Sequence, residues 1–306
     1  MLAWTKDSGA LGGLTLTEVP DPVPRHDELV VRVDAFAPNP GDLAGLRELP
    51  GGAVPGWDGS GVVISPAADG EGPRAGERVI FLSLDAAGWA ECRAVPHSMT
   101  ARATSAISAE HLATLPVPAT SALRGVRRLG SVLGRRVLIV GATGAVGRVA
   151  VQLASRSGAY VIAVARDAGR HADLRRLGAS ETHRSVESVR GRVHGALDLV
   201  GGEQLVAAYR LLDAGGTVIA LGHSAGADEV FPYGAFVADP STANRSVTSF
   251  FLGAEPDLVP DMTYLAADRD LDVGPLDIRQ WTELGDWVAA GGPRSGGRVV
   301  FRVERA

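Results

Sequence analysis

Gly141, Gly144 and Gly147 recur at every third residue directly behind the apolar run Val137-Leu138-Ile139-Val140. This spacing suits one piece of chemistry, the holding of a pyrophosphate against the main chain. The turn needs a residue able to adopt positive φ, the phosphate must come close to backbone N–H groups, and the next helix must pack on the strand it leaves. A Cβ obstructs each of these. The helix that follows is announced by apolar Val146, Val149, Ala150, Leu153 and Ala154, so its first N–H groups, at Ala145, Val146 and Gly147, are placed to meet an anion.

Three glycines alone are a weak signal. Here a buried-strand pattern precedes them, a helix follows, and a second strand, Tyr160-Val161-Ile162-Ala163-Val164-Ala165, completes a βαβ unit, so the stretch reads as a dinucleotide-binding turn. The choice between nicotinamide cofactors is made at the end of the second strand, where a carboxylate holds a ribose hydroxyl or a cation accepts a 2′-phosphate. Arg166 stands at that end and Arg170 lies four residues on, which favours NADP(H). Asp167 keeps the ribose alternative open if the strand ends later.

The elements that must carry this turn are legible on both sides of it. Residues 1–116 are β-rich: 29–35, 61–64 and 78–81 have strand character, and Pro20, Pro22, Pro24, Pro38, Pro40, Pro50 and Pro55 punctuate them. From 117 the texture becomes strand and amphipathic helix in alternation, with strands at 197–200, 216–222 and 247–252 and a helix at 203–212. That is the doubly wound parallel pattern of an α/β domain, expected over 117–264. The tail, 265–306, reads as a helix over 279–290 stopped by Gly291-Gly292-Pro293 and a last strand, 297–303, expected to return to the first domain's sheet. The stretch 253–275 stays unassigned.

Composition narrows the class. With 306 residues the chain is long enough for about two domains. A net charge of -5 argues against nucleic acid or an acidic membrane surface as partner, which leaves a small-molecule substrate. Cys92 is the sole cysteine, so neither an internal disulfide nor a multi-cysteine zinc site can form. The opening residues lack the basic and apolar pattern of a signal peptide, and no apolar run is long enough to span a membrane, so a cytoplasmic location is expected.

Several separated motifs then agree. Asn39-Pro40-Gly41-Asp42, Pro55-Gly56-Trp57-Asp58-Gly59-Ser60-Gly61, Gly76-Glu77-Arg78-Val79, Gly88-Trp89-Ala90-Glu91, Asp198-Leu199-Val200-Gly201-Gly202 and Gly215-Gly216-Thr217-Val218 stand in order. With them the chain resembles the medium-chain dehydrogenase/reductase superfamily, in its zinc-free quinone oxidoreductase-like branch. The resemblance implies a GroES-like β-rich domain, a Rossmann domain, a homodimer, and hydride transfer from NADPH to a quinone or an α,β-unsaturated carbonyl compound. It departs from the zinc alcohol dehydrogenases, which have Gly-His-Glu where this chain has Gly56-Trp57-Asp58, and no metal is expected.

The resemblance also suggests site residues. Asn39 is the candidate positioning amide, with Asp42 beside it; Thr120 is a candidate cofactor contact; Phe250, Phe251 and Leu252 are candidates to pack around the nicotinamide. Gly222-His223 ends a Rossmann strand, where ligands lie in such sheets, so His223 ranks first among the histidines. Many relatives carry a tyrosine shortly after the Asn-Pro-x-Asp segment and residues 43–49 have none, which leaves the proton donor among solvent, Tyr233, Asp42 and Asp58. Two rival readings stay open: a tailoring enzyme that uses this fold for a non-reductive step such as cyclisation or dehydration, and a non-catalytic nucleotide-binding regulator.

Overall fold

The computed structural model describes residues 1–292 and 297–304. Pro293, part of the stop expected after the tail helix, lies outside the described residues. The chain divides into two compact units, Met1–Thr120 with Glu255–Ala306, and Ser121–Ala254.

The first unit opens with an antiparallel hairpin, β1 (Leu2–Lys6) and β2 (Leu14–Glu18). Its main sheet begins at β3 (Glu28–Phe36), where β-branched residues alternate with polar ones. Helix α1 (Pro40–Gly45) follows, started by Asn39, by Pro40 at the first helical position, and by Asp42, whose carboxylate accepts the Asn39 N–H at 2.7 Å. The sheet continues through β4 (Asp58–Ser65), β5 (Arg78–Leu82), β6 (Cys92–Pro96) and β7 (Thr100–Arg102), followed by α2 (Ala109–Leu112) and α3 (Pro116–Arg128).

The second unit runs β8 (Arg136–Val140), α4 (Ala145–Arg156), β9 (Tyr160–Val164), α5 (His171–Arg176), β10 (Glu181–His183), β11 (Val193–Asp198), α6 (Gly202–Leu211), β12 (Leu212–Ala220) and β13 (Ser246–Ser249). Its six strands are all parallel, in the order β10-β9-β8-β11-β12-β13. Numbered within the unit this is 3-2-1-4-5-6, the doubly wound order, and the direction of winding reverses between β8 and β11. Apolar side chains of the central strands, among them Leu138, Val140, Ile162, Val164 and Val218, form its core with Leu205 and Tyr209 of α6.

The chain then returns to the first unit through α7 (Leu258–Ala267), β14 (Leu276–Gln280), α8 (Leu284–Ala289) and β15 (Arg298–Arg302). β15 lies between β14 and β3, antiparallel to β3, with Phe301 opposite Phe36. Phe301, Phe36, Trp89 and Trp287 pack in one aromatic core.

Several elements differ from the sequence reading. The helix expected over 279–290 starts later: Arg279 and Gln280 end β14, paired with Phe301 and Arg302, and helical residues run from Trp281 through a short 3-10 turn into α8. β11 begins four residues before the strand expected at 197–200 and stops at Asp198. β13 ends at Ser249, so Phe250, Phe251 and Leu252 are not strand residues. The unassigned stretch contains α7, whose buried Leu258, Met262, Leu265 and Ala266 recur at helical spacing.

Candidate functional site

The glycine turn sits at the C-terminal end of β8, at the reversal of the winding. Gly141 has φ +79°, and its N–H and that of Ala142 both donate to Val164 O, the last carbonyl of β9. The three glycines have different reasons to be glycine. A Cβ on Gly147 would overlap Gly141 O and lie 2.8 Å from Ala142 Cα, so that glycine lets α4 pack on its strand. A Cβ on Gly141 would press on Val200 and Leu199 at 3.1 and 3.2 Å, across the turn.

Gly144 is the exception. A Cβ there would meet nothing nearer than Gly141 O at 3.4 Å, and the residue is exposed at the N-cap of α4, with no side-chain cap. Protein packing does not require a glycine at this position, and its absent side chain leaves the backbone open to close approach by a ligand. The N–H groups of Ala145, Val146 and Gly147 precede the first bond inside the helix, Arg148 N–H to Gly144 O at 2.8 Å, and so present a cradle for a diphosphate. These residues fit a dinucleotide.

At the neighbouring strand end, β9 stops at Val164, Ala165 is buried and Arg166 is exposed. Asp167 accepts the Gly169 N–H at 2.9 Å and caps a short 3-10 turn, so its carboxylate is held in its own loop. Arg170 is half-buried at the start of α5. Arg184, which sequence reasoning missed, comes to the same place from β10: its Nε donates to Arg166 O at 3.3 Å. Only the pairing of β10 with β9 brings it there, and no spacing signals it.

On the other side of the reversal, β11 ends in Asp198, fully buried. One carboxylate oxygen accepts the Gly201 N–H at 2.7 Å, and the other has no partner among the described residues. Burial pushes its carboxyl up to about 6, against the pull of the Gly201 and Val200 N–H groups. Gly222 and His223 follow β12. The His223 ring is mostly exposed, lies 3.3 Å from Glu229 through Nε2, and covers Gly201, where a Cβ would come 3.0 Å from its Cδ2. Glu229 also accepts the Gly202 N–H at 3.1 Å and so caps α6.

In the first unit Asn39 is the hub of a buried polar knot. Its Nδ2 donates to Asp42 at 3.0 Å and to Asp58 at 2.9 Å, and its Oδ1 accepts from Arg298 at 2.7 Å. Asp42 also accepts the Trp57 N–H, Asp58 the Val117 N–H, and Arg298 donates to Ala37 O. Burial, reinforced by the charge of Asp42, pushes Asp58 up to about 7, while Arg298 pulls it back; burial raises Asp42 as well. Both amide hydrogens of Asn39 are thus spent inside the protein, and Asn39, Asp42 and Asp58 are all almost inaccessible. Arg298 completes a set of which sequence reading had singled out Asn39, Asp42 and Asp58.

The remaining candidates are dispersed. Thr120 is fully buried and its hydroxyl has no partner among the described residues. Phe250 lies 5.2 Å from the Arg128 guanidinium, Phe251 is exposed, and Leu252 is buried in a 3-10 turn. Tyr233 is fully exposed on the loop between β12 and β13. A zinc ion does not fit at the Gly56-Trp57-Asp58 turn: indole is no ligand, the Trp57 ring lies against Gly41, and both Asp58 oxygens already accept N–H groups. Among the described residues no group of three or more His, Cys, Asp or Glu side chains could hold a metal ion.

A glycine turn at the reversal of a 3-2-1-4-5-6 sheet, joined to a β-rich unit, defines a two-unit dinucleotide-binding fold. Residues 25–121 match the family described as alcohol dehydrogenase GroES-like domain, and residues 145–268 match that described as zinc-binding dehydrogenase. The chain belongs to the medium-chain dehydrogenase/reductase superfamily, in its quinone oxidoreductase-like branch.

Among curated relatives, 2-methylene-furan-3-one reductase of Solanum lycopersicum is 28% identical over 72% of this chain and 62% of its own length. A zinc-type alcohol dehydrogenase-like protein of Schizosaccharomyces pombe is 33% identical over 67% and 64%. The chain therefore spans less than two thirds of either. Among solved structures, the quinone oxidoreductase of Thermus thermophilus, described also in complex with NADPH, superposes with a TM-score of 0.79 at 28% identity, covering 99% of this chain and 100% of that one. A 2-haloacrylate reductase shares the fold, with a TM-score of 0.86 at 20% identity over the full length of both chains.

Proposed function

We propose that this protein is a zinc-independent, NADPH-dependent reductase of a quinone or an α,β-unsaturated carbonyl compound. The observation that carries the reading is Gly144: packing leaves space where its side chain would be, at the start of a helix whose first N–H groups have no partner inside the helix. Ala145, Val146 and Gly147 would hold the diphosphate, and the exposed Arg166, with Arg170, would receive the 2′-phosphate. Asp167 gives one carboxylate oxygen to the Gly169 N–H, which ties it to its own turn. When bound, the reduced nicotinamide supplies a hydride to the electron-poor carbon of the substrate.

A dinucleotide bound across the reversal would be held by the ends of β8 and β9 on its adenosine side and by the ends of β11 and β12 on its nicotinamide side. His223 stands there, exposed and held by Glu229, and it is the candidate best placed to hold a proton for the substrate oxygen or carbon. Asn39, Asp42 and Asp58 serve this reading through position: their knot fixes the Trp57 turn and the start of α1. A homodimer fits the same reading, since β13 is an edge strand with Ser246, Val247 and Ser249 exposed.

Titration of the purified protein with NADPH and NADH, followed by nicotinamide fluorescence, tests the cofactor assignment. NADPH should bind about tenfold more tightly, a gap of ~1.4 kcal/mol, and Arg166→Ala should erase it. NADPH oxidation across a panel of enones and quinones then tests the reaction. Binding of neither nucleotide would sink the reading.

A further inference from the structure

The ends of β9 and β10 gather more positive charge than the fold needs. The register pairs His183 with Val164, and the ladder runs one step further through the Ala165 N–H, which donates to His183 O at 2.9 Å. Arg184 therefore leaves β10 beside the residue at which Arg166 leaves β9, and its Nε closes on Arg166 O. Arg166, Arg170 and Arg184 have no ion pair among the described residues, and Arg166 and Arg184 are exposed.

The nearby carboxylates are engaged elsewhere. Asp167 caps Gly169, Asp173 binds Arg148 and Arg176, Glu181 binds Arg136 and His183, and Glu187 accepts from Gln204. Against the single charge of Asp167, which meets only a neutral N–H, three arginines on the ends and following turns of two adjacent strands leave an excess of positive charge that a dianion would offset. Among the described residues Arg184 bonds only through Nε, which leaves the end of its guanidinium open to bind phosphate.

We propose that Arg184 completes, with Arg166 and Arg170, a three-arginine seat for a phosphate monoester on the adenosine ribose, and that this monoester is the 2′-phosphate. The inference rests on the nucleotide reading above and adds to it a residue from a different strand. It also separates two sources of the same chemistry, since an adenosine can carry its monoester at the 2′ or the 3′ oxygen.

The test uses the full chain and calorimetric titration with 2′,5′-ADP, 3′,5′-ADP and 5′-AMP, with Arg166→Gln, Arg184→Gln and Arg184→Lys alongside. The wild type should prefer 2′,5′-ADP to both other nucleotides. Arg184→Gln should lose about tenfold in affinity for 2′,5′-ADP and nothing for 5′-AMP. Arg184→Lys should recover part of the loss, because it restores the charge without the fork. The dependence of 2′,5′-ADP affinity on salt should be shallower in Arg184→Gln, a change that a merely structural residue would not produce. Thermal unfolding without ligand shows whether each variant folds.

If Arg184→Gln binds 2′,5′-ADP like the wild type while Arg166→Gln does not, the role of Arg184 is refuted and the NADPH reading stands. If the wild type prefers 3′,5′-ADP, the assignment of the phosphate is overturned. If it binds all three alike, the seat and the 2′-phosphate reading fall together, and if it binds none, the nucleotide site itself is refuted.

Discussion

Two polar regions of this protein treat charge in opposite ways. In the first unit two buried aspartates and a half-buried arginine surround Asn39, and both amide hydrogens of Asn39 are given to protein carboxylates. At and just beyond the strand ends of the second unit three arginines make no ion pair among the described residues, and the start of α4 has first N–H groups with no partner inside the helix. A polar group satisfied inside the protein positions the chain, whereas one left open at a strand end can bind a ligand. The comparison moves the functional weight away from Asn39 and Asp42, for which motif matching alone had suggested direct roles, and toward the second unit.

The knot around Asn39 depends most on Arg298. Arg298→Met leaves two buried carboxylates around Asn39 without their cation, and urea unfolding should show a loss of about 3–5 kcal/mol. A loss below about 1 kcal/mol would mean that the knot is hydrated and does not hold the turn.

The next effect is in pH. Asp58 has a folded value of about 7 against an ordinary 3.8, so between these values the native state holds a proton that the unfolded chain releases. The contribution of Asp58 to stability should be full below about pH 4, fall by a few kcal/mol as the pH rises to 7, and then level off. Asp58→Asn, read by denaturant titration at pH 5 and pH 8, should flatten that slope. A slope unchanged by the substitution would assign it to other groups.

The glycine turn sharpens the comparison within one loop. Gly147→Ala forces a Cβ against the Gly141 carbonyl and should cost about 1–3 kcal/mol of stability, visible as a lower Tm. Gly144→Ala should leave Tm almost unchanged and abolish measurable NADPH binding, because the space it fills belongs to the ligand. Equal effects of the two on Tm would remove the distinction. The smallest change is expected from Asp167→Ala, which removes a cap worth about 1 kcal/mol and should leave the preference for NADPH intact. A reversal of that preference would restore Asp167 as a ribose ligand.

The sequence by itself determined much of the second unit. Val137 to Val140 are buried in the middle of a parallel sheet, where both faces of a strand must be apolar, and three spaced glycines need no tertiary information to mark the turn. Gly144 and Gly147 looked equivalent in sequence, since a missing side chain does not tell whether protein or ligand fills its place.

The tertiary structure alone decided the rest. β14 pairs with β15 from Leu276 opposite Arg298 onward, and that pairing with a later segment holds Arg279 and Gln280 in strand, so helix begins only at Trp281. α7 was hidden because Pro260 and several aspartates mask its apolar spacing, although Pro260 sits in the first turn, where no helical bond is lost. Arg298 reaches Asn39 across 259 positions, and Arg184 reaches Arg166 across a strand pairing. Local patterning fixes which residues can form strands, turns and helix starts; which charges meet depends on how distant segments pair, and no spacing along the chain encodes that.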